Sequence, residues 1–199
     1  MVRKFAEKKL VLATHNKGKL AEFRDMMNLP GVELVGAGDL NIPEPVEDGT
    51  TFFENCMIKA KAVSAASGLP CMADDSGLCV AALDGAPGVY SADWAGTPRD
   101  FKVAMQRVQD EVGAATDRSA AFVSTLILCW PDGQYETAEG HIEGTLVWPP
   151  RGTQGFGYDP MFLPEGERKT FGEMTLEEKK SFSHRARAWA ALKAKAFSD

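Results

Sequence analysis

Asp74-Asp75-Ser76-Gly77 sets two carboxylates side by side at the end of an apolar run, Pro70-Cys71-Met72-Ala73. Adjacent carboxylates repel each other and lose hydration in such a place, so a fold that keeps them there offsets the charge with a metal ion or basic neighbours. In a strand the two side chains point to opposite faces, so one can cap a following turn while the other faces a ligand. A plain Asx-turn is the bland alternative. Glu47 and Asp48, upstream in an acidic stretch, are the nearest further oxygen ligands by type. Magnesium asks for one or two carboxylates beside waters and substrate phosphates, and the His- or Cys-rich spacing of a transition-metal site is absent.

Three more blocks carry chemical possibilities. Thr14-His15-Asn16-Lys17-Gly18-Lys19 lies where a strand runs into a helix, and helix N-terminal amides with two lysines and a glycine suit an anion. The G-x-x-x-x-G-K-[ST] spacing of a Walker A loop is not there, and a simple polar turn is the alternative. Gly155-Phe156-Gly157-Tyr158-Asp159-Pro160 offers two rings and a carboxylate on a flexible loop, either to stack on and read a nucleobase or to plug the core. Ser181-Phe182-Ser183-His184-Arg185, preceded by Lys180, puts cations in the first turn of a helix, where the dipole favours anions. A bound anion or a carboxylate would resolve that conflict.

The elements that must hold these blocks follow from periodicity. Lys9–Thr14 reads as a buried strand, and Leu20, Phe23 and Met26/Met27 recur at helical spacing after it. Val32–Val35 suggests a second strand. Thr51-Phe-Phe-Glu54 has capping-box spacing, and Phe53, Met57, Ala60 and Ala66 carry that helix to a stop at Gly68. Thr97 and Pro98 are expected to cap and start a helix with Phe101, Met105, Val108 and Val112 inward. Residues 119–130 give the strongest strand signal, turned at Pro131-Asp132-Gly133 into Gln134–Ile142. A closing helix turns Trp189, Leu192 and Phe197 inward. This order predicts an α/β fold, a mixed central sheet with flanking helices.

The chain has 199 residues, 22 basic and 28 acidic, and is 44% hydrophobic. That is one domain's worth of globular sequence and excludes disorder, while no apolar run reaches membrane-spanning length. The N-terminus carries charges on both sides of few apolar residues, which predicts a cytoplasmic protein. Four cysteines without CxxC spacing read as reduced, buried thiols. Residues 1–30 hold seven basic and three acidic side chains, and residues 31–95 hold two and ten. Basic ends around an acidic middle suit a site that holds a polyanion and a divalent cation together. With no basic block the polyanion is small, so neither polymeric nucleic acid nor a membrane is expected.

Taken in order, Ala73–Gly77, Gly85-Ala-Pro-Gly-Val-Tyr-Ser91, Gly155–Pro160 and Ser183–Arg185 resemble the inosine triphosphate pyrophosphatase family, the dITP/XTP pyrophosphatases. The resemblance runs from about Leu10 to Leu192. It implies two lobes around an active-site cleft, a homodimer, and magnesium-dependent hydrolysis of a purine nucleoside triphosphate (ITP, dITP, XTP) to monophosphate and pyrophosphate. By motif, Thr14, His15, Asn16, Lys17, Gly18 and Lys19 would form the triphosphate turn. Glu47 and Asp75 would be the magnesium carboxylates, with Asp75 also the proton acceptor. Lys59 and Ser76 would touch substrate, Phe156, Gly157, Tyr158 and Asp159 would hold the base, and Lys180, His184 and Arg185 would complete the pocket. His15 stands where many relatives have glycine, and Asp93 where many have arginine. A binding module without hydrolysis and a pyrophosphatase for modified pyrimidines are the competing readings.

Overall fold

The structure is a computed structural model, and it describes residues 2–197. Six strands form one sheet: β1 (Lys9–Leu12), β2 (Glu33–Gly36), β3 (Cys71–Val80), β4 (Ser119–Cys129), β5 (Tyr135–Leu146) and β6 (Phe162–Pro164), in the order β2-β1-β3-β4-β5-β6. β1 runs parallel to β2 and β3, and β5 runs antiparallel to β6, so the sheet is mixed as expected. Among the described residues five α-helices accompany it: α1 (Lys17–Met26), α2 (Phe52–Ser67), α3 (Phe101–Val112), α4 (Leu176–Lys179) and α5 (His184–Ala196). No helix among the described residues is long and apolar enough to cross a membrane.

The chain divides into two compact units. The first comprises the chain up to Asp75, residues 124–140 and residues from Ala186 on, and the second Ser76–Val123 and His141–Arg185. In the first unit the strands are buried on both faces. Leu10, Leu12, Met72, Leu126 and Leu128 pack with Phe23 of α1 and Trp189 and Leu192 of α5, while Val11, Ala13, Cys71, Ala73 and Ile127 pack with Cys56, Ala60 and Val63 of α2. The two sets alternate residue by residue, as a pleated strand requires. The second unit has its own core, including Leu78, Met105, Val108, Phe122, Phe162 and Phe171.

Three local expectations are corrected. β3 does not end at Asp74: it continues through both aspartates to Val80, so the carboxylates lie inside a strand rather than after it. α3 begins later than Thr97-Pro98 suggests, because Asp100 is its N-cap and accepts from the Lys102 amide at 2.8 Å. α2 has the expected Thr51/Glu54 capping box and a left-handed Gly68. Its buried face, however, is Asn55, Cys56, Lys59, Ala60, Val63 and Ser64, not the Phe53–Met57–Ala66 stripe, and Phe53 is exposed. The buried thiols expected are found at Cys56, Cys71 and Cys129, all four cysteines are free, and Cys79 is half-buried.

Candidate active site

Alternation along β3 sends Asp74 to the sheet face of Met72 and Asp75 to the face of Ala73. Each meets a lysine from the helix that covers that face. Lys19 Nζ of α1 lies 2.8 Å from Asp74 Oδ2, and Ser124 Oγ of β4 donates to Asp74 Oδ1 at 2.6 Å. Lys59 Nζ of α2 donates to Asp75 Oδ1 at 3.0 Å and to Glu47 Oε2 at 2.7 Å. Burial alone would lower the Lys59 ammonium, but the Asp75 and Glu47 carboxylates reverse this and hold it above the usual lysine range. Burial raises the Asp75 carboxyl above the ordinary aspartate value, against the pull of Lys59 and Lys19.

The stretch that carries Glu47 is tied to the start of α2. The Gly49 amide donates to Asn55 Oδ1 at 2.8 Å, and Glu54 Oε2 accepts from the Thr50 and Thr51 amides at 2.7 and 3.1 Å. A Cβ at Gly49 would stand 2.6 Å from Glu54 Cβ and 3.0 Å from the Asn55 nitrogen, so only glycine fits there. Asp75 Oδ2 is buried with no hydrogen-bond partner. An orphaned carboxylate oxygen beside Glu47 fits a magnesium ion that takes the rest of its shell from water and phosphate. A full protein cage is not offered: among the described residues no group of three or more His, Cys, Asp or Glu is placed to hold a metal.

The turn before α1 is more closed than its sequence suggests. Asn16 caps the helix, and its Oδ1 accepts from the Gly18 and Lys19 amides at 2.9 and 3.1 Å, so those two amides already have a partner. Thr14 Oγ1 takes the Asn16 amide at 3.1 Å. His15 turns its Nε2 to the Ile42 carbonyl at 2.9 Å. The turn therefore offers chiefly lysine side chains: Lys17 is exposed and Lys19 is half-buried.

In the second unit Phe156 and Tyr158 separate into different roles. Tyr158 is buried, donates its hydroxyl to the Ser91 carbonyl at 2.8 Å and meets the Phe101 ring edge-on, so it serves the core. Ser91 itself receives the Leu78 amide at 3.0 Å, which ties the Gly85–Ser91 block to β3. Phe156 stays half-buried and is the ring left to meet a ligand. Asp159 accepts the Phe156 amide at 2.9 Å and pairs with Lys179 at 2.8 Å. Gly155 has φ +72°, and a Cβ there would overlap Asp159 Oδ2, while Gly157 has φ +68°.

Cations surround that ring. Lys179 Nζ lies 5.6 Å and the Arg185 guanidinium 5.2 Å from the Phe156 centroid, and Arg185 Nη2 donates to Ser76 Oγ at 2.7 Å. The lysine brought here is Lys179, which sequence reasoning missed; Lys180, named instead, is half-buried and pairs with Glu177. Adjacent helical residues point about 100° apart, so only one of the two lysines can face Asp159. The Thr175/Glu178 capping box was the available signal for that helix. His184 is 2% exposed and stacks on Phe122 at 4.8 Å, which makes its ring part of the packing under the site.

A family model described as the Ham1 family matches residues 10–195. A dITP/XTP pyrophosphatase of Zymomonas mobilis is 52% identical over 193 residues, covering 96% of this chain and 92% of its own. A dITP/XTP pyrophosphatase of Mesorhizobium japonicum is 57% identical over 198 residues, covering 92% and 90%. Among solved structures, a Ham1 protein from Coxiella burnetii superposes with a TM-score of 0.86 at 36% identity, over 94% of this chain and 98% of that one. Sequence, fold and the clustering of the motif residues agree, and the chain belongs to the Ham1 family.

Proposed function

We propose that this chain hydrolyses non-standard purine nucleoside triphosphates (ITP, dITP, XTP) to the monophosphate and pyrophosphate, with magnesium, and so cleanses the nucleotide pool. The observation that carries the reading is Asp75: a buried carboxylate, raised in pKa, with one oxygen on Lys59 and the other without a partner. A carboxylate made more basic by burial is a better proton acceptor for water than a solvated one. Water attacks the α-phosphorus, its proton passes to Asp75, and the bond from that phosphorus to the bridging oxygen breaks to release pyrophosphate. Lys59, Lys19 and Lys17 supply positive charge for the phosphates. Asp75 and Glu47 would hold the magnesium ion, which when bound neutralises charge on the phosphate oxygens.

In the second unit Phe156 would stack on the base, and Arg185 would donate to the 6-oxo group that separates hypoxanthine and xanthine from adenine. The homodimer and the cytoplasmic setting rest on the family resemblance and the sequence reading. The test is incubation with magnesium and ITP, dITP, XTP, ATP, GTP or dTTP in turn. Pyrophosphate and monophosphate should appear in equal amounts, with ITP, dITP and XTP preferred to ATP and dTTP; guanine shares the 6-oxo group, so GTP measures discrimination at the 2-position. Release of single phosphates, binding without turnover, or preference for dTTP would overturn the reading.

A further inference from the structure

Asp74 is held differently from its neighbour. Its side chain is 1% exposed, Lys19 Nζ stands at 2.8 Å from one oxygen, and the Ser124 hydroxyl donates to the other at 2.6 Å. A carboxylate with both oxygens engaged by protein donors has little to offer a cation, whereas Asp75 keeps one oxygen open. Lysine is a point charge on a flexible four-carbon stem, and fixing one of its three donors restricts where the other two reach. The Lys19 backbone is already set by the Asn16 cap.

We propose that Asp74 is a positioning residue: it aims the Lys19 ammonium at the substrate phosphates, Ser124 fixes the rotation of its carboxylate, and of the two adjacent aspartates only Asp75 reaches the metal. The inference rests on the reading of the α1 turn as the phosphate site. Because the pair is close to neutral, Asp74 contributes orientation rather than affinity. Removing its charge frees the full charge of Lys19 but lets the stem swing, so turnover suffers while binding does not.

The experiment compares Lys19→Met, Asp74→Asn, the double variant and Ser124→Ala. Melting temperature, kcat and KM for ITP, magnesium half-saturation, and calorimetric binding of inorganic triphosphate are measured on each. Asp74→Asn should lower kcat about 10- to 100-fold, the scale of a misplaced catalytic contact, with KM and magnesium half-saturation near the parent values. Ser124→Ala should move in the same direction by less, and it carries the kinetic test should Asp74→Asn not fold. Lys19→Met should weaken triphosphate binding and lower the melting temperature by leaving the buried Asp74 charge without its lysine, and adding Asp74→Asn should restore much of that temperature. A raised magnesium half-saturation in Asp74→Asn would make Asp74 a ligand. Additive melting losses or an unchanged kcat would equally overturn the proposal. Should the parent protein hydrolyse none of the triphosphates, the proposed function fails, and the melting cycle with inorganic triphosphate binding still decides the role of Asp74.

Discussion

In the first unit three carboxylates, Glu47, Asp74 and Asp75, meet two lysines, Lys19 and Lys59; in the second a single carboxylate, Asp159, pairs with Lys179 while Arg185 reaches Ser76 and the Phe156 ring. The first cluster holds more acid than base and leaves an oxygen open, which suits a divalent cation and its phosphates. The second holds more base than acid against an aromatic face, which suits a flat ligand rich in acceptors. The comparison separates two kinds of work. Charge in the first suits the proposed reaction, and charge in the second fixes a loop beside the ring proposed to meet the base.

The largest expected effect breaks the first cluster. Asp75→Asn keeps the shape and removes the proposed base, and loss of general-base catalysis is worth about 10²–10⁴ in rate. Hydrolysis should fall at least that far with the circular dichroism and melting temperature near the parent's. Near-normal turnover would show that the open oxygen has no part in the chemistry.

Arg185→Ala sharpens the second cluster. A site that donates to a 6-oxo group loses discrimination, not phosphate binding, when the donor goes. Its kcat/KM should fall about 10-fold or more for ITP and far less for ATP, since one good hydrogen bond to a charged group is worth about 1.5–3 kcal/mol. An equal fall for both substrates would move Arg185 to the phosphates or to the scaffold, and base reading to the Phe156–Asp159 loop.

Lys179→Met should act on stability before specificity. The Asp159 charge would remain buried without its lysine, and breaking a buried pair from one side costs about 3–5 kcal/mol. For a chain of this size that lowers the melting temperature on the order of 10 °C. Lys180→Met should change it by no more than about 4 °C, a solvent-accessible pair such as Lys180 and Glu177 being worth about 0–1 kcal/mol. A reversed order would return Lys180 to the site.

The smallest effect is chemical silence. Burial pushes the Cys56 and Cys71 thiols well above the usual thiol range, so at pH 8 both remain protonated. Native protein should leave these two unmodified by iodoacetamide under conditions that alkylate both once it is denatured. Rapid labelling of Cys56 in the native state would mean that the α2 face carrying Lys59 opens readily.

The residues that make local decisions were legible in the sequence. The Thr51 capping box, the Gly68 stop, the strand at 119–129 and the helix beginning at His184 all appear where their own side chains dictate. Opposite orientation of Asp74 and Asp75 followed from strand geometry, and both found lysines. What could not be read was which polar residues are buried. Counting apolar positions misplaced the inner face of α2 because that face includes Asn55 and Lys59, whose burial depends on Gly49, Glu47 and Asp75. The choice between Lys179 and Lys180 likewise depends on a partner 20 residues upstream, Asp159. Tyr158 looked like Phe156 in sequence, and only the Ser91 carbonyl draws its hydroxyl inward.

Gly49 has a consequence for the variation this protein can tolerate. Several glycines here, Gly68 and Gly133 among them, sit at positive φ with open space around them, and asparagine or aspartate can stand in at such turns. Gly49 is the reverse case: its limit is volume, set by Glu54 Cβ and the Asn55 backbone, and every other amino acid exceeds it. A library randomised at both kinds of position and selected for active protein should return a small alphabet at Gly133 and one letter at Gly49. The loop that presents Glu47 would then be guarded by a residue that touches no substrate, and its loss would look in any activity screen like the loss of a ligand.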